Sequence, residues 1–276
     1  MYKLVAIDID GTLLKNDKTI SKRNKEAINK SIKMGVKIVI TTGRPILGIM
    51  NYLEDLGLIG ENEYAIADNG ATVYNTKDFS LIYERALTGK DIKYIYPFMK
   101  KENTEIELHV PAGGLVEKDA GTIFVKKRKP YMDLRTVDIM KDVKDEDKIL
   151  KLLVFGEVEV IEKIYNNIPE ELLEKYTPVR ALNHMFEFMY KGSTKASGIE
   201  VLGKHLGISK EEIIAIGDEL NDLDMIEYAG LGIAMGNARE EVKNKADFIT
   251  KSNEEDGVAY VLDRFILKEG NEKGGK

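Results

Sequence analysis

The sequence predicts an α/β fold in which a doubly wound, Rossmann-like parallel sheet is interrupted by an inserted α+β domain. Two observations lead to this prediction. Short apolar runs such as residues 4–7 and 213–216 end in acidic and glycine residues, which is typical of buried parallel strands that open into loops. Between these runs, from about residue 82 to residue 190, apolar and polar residues alternate, as in a sheet with one wet face.

The first 45 residues have the pattern of a βαβ unit. Residues 4–7 predict the first strand, and the run at 36–40 predicts the second. Between them, Ser21 can cap a helix that continues to about Met34, and Gly35 can supply its left-handed end. A strand, a helix and a second strand in this order favour a parallel sheet.

The remaining elements are predicted from the same patterns. We expect the core domain at residues 1–83 and 191–269, the inserted domain at 84–190, and a flexible tail at 270–276. Further strands are predicted at 64–67, 105–110, 121–125, 149–155, 177–181, 185–190, 213–216 and 232–236, and further helices at 46–56 and 160–168.

Composition excludes several classes of function. The 276 residues carry a formal net charge of -6, so we expect no nucleic acid partner. With no cysteine and only 3 histidines, thiolate catalysis and cysteine-ligated zinc are excluded, and little remains for a histidine-based site. No apolar run approaches the roughly 18 residues of a membrane span, and the start of the chain is no signal peptide, so we expect a cytoplasmic protein. If the protein is an enzyme, carboxylates carry its chemistry.

Two carboxylates follow the first predicted strand. Asp8 and Asp10 are two residues apart on an extended segment, so their side chains project the same way and can share a hard cation such as Mg²⁺. The cation would leave Asp8 able to attack a phosphate as a nucleophile, and Asp10 could act as general acid and base. Considered alone, the pair is equally well explained as a solvated or loop-capping acidic pair.

Polar groups at other strand ends have comparable alternatives. Thr42 and the backbone of Gly43 could hold phosphate oxygens, or Thr42 could simply cap the next helix. Lys195 could pair with Asp8 and with a phosphoryl group, although a lone lysine is usually solvated.

A third acidic group follows the predicted strand at 213–216. Asp218 and Asp222 are four residues apart around Asn221, so a turn there could present the first to a metal ion and the second to its surroundings. The alternative is an acidic helix N-terminus that is stabilised by the helix dipole.

Taken together and in order, these segments resemble the four motifs of haloacid dehalogenase (HAD) superfamily phosphatases. The motif residues are Asp8-Ile9-Asp10-Gly11-Thr12, Thr42-Gly43-Arg44, Lys195, and Gly217-Asp218-Glu219-Leu220-Asn221-Asp222. Three further segments resemble the Cof-type branch, which has a type IIB cap. They are Asn69-Gly70-Ala71, Ala234-Met235-Gly236-Asn237-Ala238 and Glu255-Asp256-Gly257-Val258.

The resemblance implies a role for each motif residue. Asp8 would be the nucleophile and Asp10 the general acid/base, with Thr42 and Lys195 stabilising the phosphoryl group. The implied Mg²⁺ ligands are Asp8, Asp10 through its backbone carbonyl, Asp218 and Asp222. The implied phosphate-binding or substrate-binding residues are Ile9, Thr42, Gly43, Arg44, Asn69, Lys195 and Asn221.

The resemblance also implies the reaction and leaves the substrate open. We expect a Mg²⁺-dependent phosphatase that acts on small phosphorylated metabolites, most readily sugar phosphates, with flavin mononucleotide and pyridoxal phosphate as other options. The inserted domain would select the substrate. The alternatives are a phosphotransferase similar to phosphomannomutases and a non-catalytic sensor of phosphorylated metabolites. A receiver-type switch is disfavoured by length, and the sequence does not disclose the oligomeric state.

Overall fold

The chain folds into two compact units, seen in a computed structural model that describes residues 1–101, 103–111, 113–117 and 133–268. The core unit comprises Met1–Tyr83 and the chain from Thr194 onward, and the inserted unit comprises Glu84–Ser193. The predicted strand at 121–125 and the predicted tail at 270–276 lie outside the described residues. In the described part of the chain, no helix is long and apolar enough to cross a membrane.

The strands of both units are numbered along the chain. They are β1 Leu4–Ile7, β2 Lys37–Thr41, β3 Tyr64–Ala67, β4 Thr72–Asn75, β5 Leu81–Glu84, β6 Leu87–Thr88, β7 Thr104–Val110, β8 Gly113–Glu117, β9 Leu134–Val137, β10 Lys148–Ile149, β11 Lys151–Gly156, β12 Tyr176–Leu182, β13 Met185–Tyr190, β14 Ile213–Gly217, β15 Leu231–Ala234 and β16 Phe248–Ile249.

The helices are numbered in the same way. They are α1 Lys22–Lys33, α2 Met50–Asp55, α3 Gly89–Met99, α4 Ile139–Asp142, α5 Val158–Tyr165, α6 Glu170–Leu173, α7 Lys195–Leu206, α8 Leu223–Tyr228, α9 Glu240–Lys243 and α10 Gly257–Leu262. Short 3-10 turns occur at Ile46–Gly48, Asp68–Gly70, Lys210–Glu212, Leu220–Asp222 and Asn253–Glu255.

Helix α1 begins and ends as the sequence predicts. The Ser21 hydroxyl accepts a hydrogen bond from the Asn24 N–H at 3.0 Å, and Gly35 follows the helix with φ at +85°. The predicted helix at 46–56 is instead a 3-10 turn followed by α2, because Ile49 between them departs from helical geometry, with φ at -126°.

The core unit contains an eight-stranded sheet in the order β16-β15-β14-β1-β2-β3-β4-β5. The strands from β16 to β3 are parallel, and every residue of β1 and β14 is buried. The predicted doubly wound parallel sheet is therefore confirmed. The chain turns to opposite sides of β1, which makes the carboxyl ends of β1 and β14 a topological switch point, where open α/β sheets bind ligands.

Strands β4 and β5 extend this sheet at one edge, and the sequence patterns do not predict them. Strand β4 runs antiparallel to β3, with Ala67 opposite Thr72. The tight connection between them has positive φ at Asp68, Asn69 and Gly70, with values of 50°, 53° and 83°. The turn at Asn69-Gly70 thus reverses the chain and keeps Asn69 at the carboxyl edge of the sheet.

The inserted unit contains a six-stranded sheet in the order β12-β13-β11-β7-β8-β9 and a two-stranded pair of β10 and β6. One face of the larger sheet is apolar and joins the cluster that includes Ile106, Val154 and Phe186. The prediction that the opposite face is wet is wrong. Charged side chains on this face are buried, as in the ion pair of Lys151 with Glu187, where the ammonium lies 3.1 Å from both carboxylate oxygens.

Candidate active site

The candidate site lies at the carboxyl edge of the parallel strands. Asp8 follows β1, Thr42 follows β2, Asp68 follows β3 and Asp218 follows β14. Since adjacent parallel strands end at the same edge, residues far apart in the sequence meet there. Asp8 and Lys195, 187 positions apart, are joined by a hydrogen bond at this edge.

Three carboxylates form the centre of the site. Oxygen atoms of Asp8, Asp218 and Asp222 all lie within 4.8 Å of one another, and each side chain is at least nine-tenths buried. The buried Lys195 Nζ donates to Asp8 Oδ1 at 2.6 Å and to Asp222 Oδ1 at 2.5 Å. Three acids with one base leave excess negative charge. An all-oxygen donor set with this charge fits Mg²⁺, which prefers carboxylate ligands.

Burial dominates the electrostatics of this cluster. Loss of hydration raises the pKa of Asp8 well above its ordinary range, against the opposing effect of Lys195. Burial also raises the pKa of Asp218 to about 7, although the hydrogen bond from Thr12 lowers it. For Lys195, burial lowers the pKa, but the neighbouring carboxylates of Asp222 and Asp8 outweigh burial and raise it, so the amine is cationic at neutral pH.

Short hydrogen bonds fix the orientation of two of these carboxylates. The Thr12 hydroxyl donates to Asp218 Oδ1 at 2.7 Å. The backbone N–H groups of Asp218 and Glu219 both donate to Asp222 Oδ2 at 2.9 Å. Asp222 therefore closes the 3-10 turn after β14 with one oxygen and binds Lys195 with the other.

Asp10 occupies a different environment from the other motif carboxylates. Arg44 binds it through two hydrogen bonds, from Nε and Nη2, each 2.6 Å long, and Lys18 Nζ lies at 3.0 Å. Burial acts to raise the pKa of Asp10, but the hydrogen bonds from Arg44 and Lys18 outweigh it and lower the pKa. In the described chain, the Asp10 side chain is outside the three-carboxylate cluster, which leaves its backbone as the group available to a shared ion.

A polar network follows β2 and β3 and contains the other predicted phosphate-binding residues. The Thr42 hydroxyl accepts from the Arg44 N–H at 3.1 Å, and the Thr42 carbonyl accepts from the Asn69 N–H at 2.9 Å. Asn221 Nδ2 donates to Asn69 Oδ1 at 3.0 Å. A Cβ on Gly43 would lie 2.8 Å from the same Asn69 oxygen, so only glycine leaves the amide in place.

Ile9 differs from these residues because its side chain is fully buried in the apolar core. It can contribute to phosphate binding only through its backbone. The structure thus brings Asp8, Lys195, Asp218 and Asp222 into one cluster, and it places Asp10 with Arg44 and Asn69 with Asn221 in adjoining networks.

Sequence patterns did not identify three residues that support the site. Thr12 orients Asp218, Asn237 Nδ2 donates to the Gly11 carbonyl at 2.8 Å, and Asp224 Oδ2 accepts from the Ala196 N–H at 3.3 Å. Thr12 and Asn237 lie inside segments that already stood out as motifs. For Asp224 no local signal exists, because its partner is 28 positions away.

Comparison with known proteins gives one consistent result. Residues 5–262 match the sequence model of a protein family that is described as haloacid dehalogenase-like hydrolase. The putative phosphatase YxeH of Bacillus subtilis is 36% identical over 273 residues, which cover 97% of this chain and 99% of YxeH.

Solved structures agree with these matches over nearly the whole chain. A haloacid dehalogenase-like hydrolase from Bacteroides thetaiotaomicron is similar with a TM-score of 0.85 and 31% identity, covering 96% of this chain and 100% of that one. BT4131, described as a sugar phosphatase of HAD subclass IIB, is similar with a TM-score of 0.80 and 28% identity, covering 95% and 98%.

Proposed function

Because the chain belongs to the haloacid dehalogenase-like hydrolase family and is a phosphatase of its Cof type, we propose that it hydrolyses small phosphomonoesters through an aspartyl phosphate on Asp8. We further propose that sugar phosphates are its leading substrate class and Mg²⁺ its cofactor. The observation that carries the proposal is the buried Lys195 ammonium between the Asp8 and Asp222 carboxylates. The Lys195 ammonium thus pairs directly with the proposed nucleophile inside the cluster of carboxylates.

In the first step, Asp8 attacks the phosphorus atom with one carboxylate oxygen. Lys195 holds Oδ1, so Oδ2 is the oxygen placed to attack. The phosphorus–oxygen bond of the ester breaks, and the leaving oxygen takes its electron pair and a proton from Asp10. The products are the free alcohol and the aspartyl phosphate.

In the second step, Asp10 takes a proton from water, and the water oxygen attacks the phosphorus atom of the aspartyl phosphate. The bond to Asp8 breaks, which restores its carboxylate and releases inorganic phosphate. Asp10 must hold a proton when the first step begins, whereas its ion pair with Arg44 favours the ionised form. Because Lys18 also pairs with Asp10, we infer that both Arg44 and Lys18 move away from Asp10 when the substrate binds.

The carboxylates of Asp8, Asp218 and Asp222 and the backbone carbonyl of Asp10 would hold Mg²⁺. Bound there, the ion would offset the repulsion between an attacking carboxylate and an anionic phosphate. Lys195 contributes a second positive charge to the same place, and Thr42, Gly43 and Asn221 would add hydrogen bonds to the phosphate oxygens.

We propose that the inserted unit selects the leaving group. The buried polar face of its sheet supports this role, since Glu107, His109, Lys151 and Glu187 place polar and charged side chains there. Such groups suit a leaving group rich in hydroxyls, as in a sugar phosphate. The similarity to BT4131, described as a sugar phosphatase, favours the same class.

The test is phosphate release from hexose and pentose phosphates, nucleotides, flavin mononucleotide and pyridoxal phosphate, with Mg²⁺ and with a chelator. Asp8→Asn is the control, because it keeps the shape of the side chain and removes the nucleophile. We expect release that requires Mg²⁺, is absent from the variant, and is fastest for sugar phosphates. No release from folded wild-type protein that still binds these esters would favour a phosphotransferase or a sensor instead.

A second measurement tests the role of the inserted unit. Glu187→Gln should change the ranking of sugar phosphates while the rate with phenyl phosphate, whose leaving group has no hydroxyls, stays the same. An unchanged ranking would place substrate selection in the core unit.

A further inference from the structure

The first turn of α7 determines where the Lys195 side chain starts. Lys195 is the first residue of this helix, and the Thr194 hydroxyl caps it by accepting from the Ser197 N–H at 3.2 Å. The Lys195 ammonium reaches Asp8 and Asp222 from this fixed point. A shift of the helix start would move the ammonium by a similar distance, and misplacements of about 1 Å can cost roughly 100-fold in rate.

Asp224 lies beside both chain neighbours of Lys195. Its Oδ2 accepts from the Ala196 N–H at 3.3 Å, and the Thr194 hydroxyl lies beside the same carboxylate. Ala196 is the second residue of α7, so its N–H has no partner within the helix. A carboxylate at this end also interacts favourably with the helix dipole.

Asp222 and Asp224 therefore act on Lys195 from opposite ends. Asp222 binds the ammonium, and Asp224 binds the Ala196 N–H on one side of Lys195 and lies beside the Thr194 hydroxyl on the other. The two acids are separated by one residue in the turn that opens α8, so the segment that supplies the cluster also sets the position of α7. Gly70 packs on the same point, since a Cβ there would lie 1.8 Å from the Thr194 carbonyl oxygen.

We propose that Asp224 is a positioning residue that keeps the Lys195 ammonium between Asp8 and Asp222, an inference that rests on the function proposed for Lys195. Asp224 would act through Lys195 rather than through contact with the substrate. Its removal should therefore lower the rate of the chemical step and leave substrate binding nearly unchanged.

The test compares kcat and KM for 4-nitrophenyl phosphate, with Mg²⁺, in wild type, Asp224→Ala, Asp224→Asn and Lys195→Met. We expect Asp224→Ala to lower kcat roughly tenfold or more with KM changed by less than about threefold. Asp224→Asn should be intermediate, because its amide oxygen can still accept from the Ala196 N–H. Glu227→Ala is the matched control, since Glu227 lies on the same helix and pairs with Lys245 at the exposed surface, at 2.8 Å.

The outcomes separate this inference from the proposed function. A kcat for Asp224→Ala within about twofold of wild type, with Lys195→Met inactive, would overturn the inference alone. An active Lys195→Met would remove Lys195 from the reaction and overturn both. If kcat falls as much for Glu227→Ala as for Asp224→Ala, the cause is general damage to α8, and this result would also overturn the inference. If Asp224→Ala does not fold, Asp224→Asn decides by the same criterion.

Discussion

Replacing Lys195 by methionine tests whether this amine is the charge partner that the carboxylate cluster requires. Lys195 Nζ lies 2.6 Å from Asp8 Oδ1 and 2.5 Å from Asp222 Oδ1, and all three side chains are buried. Methionine keeps the apolar stem and removes the charge, which leaves the acids without their cation. Removing one partner of a buried ion pair costs about 3–5 kcal/mol, so we expect the free energy of unfolding to fall by about that amount.

The loss should depend on pH. Burial raises the pKa of Asp8, and the variant lacks the Lys195 ammonium that opposes this rise. At acidic pH the carboxyl group can take up a proton and become neutral, so the missing amine matters less. At alkaline pH the folded protein must keep the carboxylates charged and buried. We therefore expect the full loss near pH 8 and a smaller one near pH 5.

Urea unfolding in the presence of a chelator, at both pH values, measures this difference. Lys204→Met is the matched control, because Lys204 is also on α7 and lies 2.6 Å from Glu200, but its side chain is 74% exposed. The free energy of unfolding should fall far less for Lys204→Met than for Lys195→Met, since exposed ion pairs contribute little to stability. Equal losses for the two lysines, or a loss for Lys195→Met that does not change with pH, would refute the reasoning.

Three further predictions address the metal site and the turn beside it. Because the folded-state pKa of Asp218 is raised to about 7, the metal-free protein should lose stability as pH rises from about 4 to 7. Mg²⁺ should therefore raise Tm more at pH 8 than at pH 5, and an equal rise in Tm at the two pH values would contradict this. Thr12→Val removes the hydrogen bond to Asp218 and should weaken Mg²⁺ binding by roughly 10-fold in calorimetric titration, whereas unchanged affinity would rule out this supporting role. Gly70→Ala should destabilise the protein by about 3 kcal/mol or more through steric overlap. Gly57 also has positive φ but open space around it, so Gly57→Ala should cost only about 1–2 kcal/mol. Similar losses for the two variants in denaturant melts would assign the cost to backbone strain alone.

The parallel core could be predicted from the sequence because its strands are buried on both faces. Runs such as those of β1 and β14 are continuous and apolar, and they end in the polar residues that form the site. The buried polar face of the inserted unit could not be predicted in the same way. Alternation in β7 is the same whether its polar side chains meet water or, as with Glu107 and His109, meet each other at 2.8 Å.

Within the site, residue types could be predicted but not their pairings. Spacing suggested that Asp8 and Asp10 share an ion through their side chains, whereas the structure turns Asp10 toward Arg44. The partner is 34 positions away, beyond any local pattern. The contact between Asp224 and Ala196 also joins residues far apart in the sequence and depends on how α8 packs on α7, so sequence patterns cannot predict it.

The central claim is that Asp8 carries the phosphoryl group, and acid-quenched mass spectrometry tests it most directly. Asp10→Asn should be mixed with Mg²⁺ and 4-nitrophenyl phosphate, whose leaving group needs little protonation, so that the intermediate forms but is not hydrolysed. We predict a phosphoryl group on the peptide that contains Asp8, and none in a second variant that also carries Asp8→Asn. Release of nitrophenol with the phosphoryl group on another residue, or on none, would contradict the account.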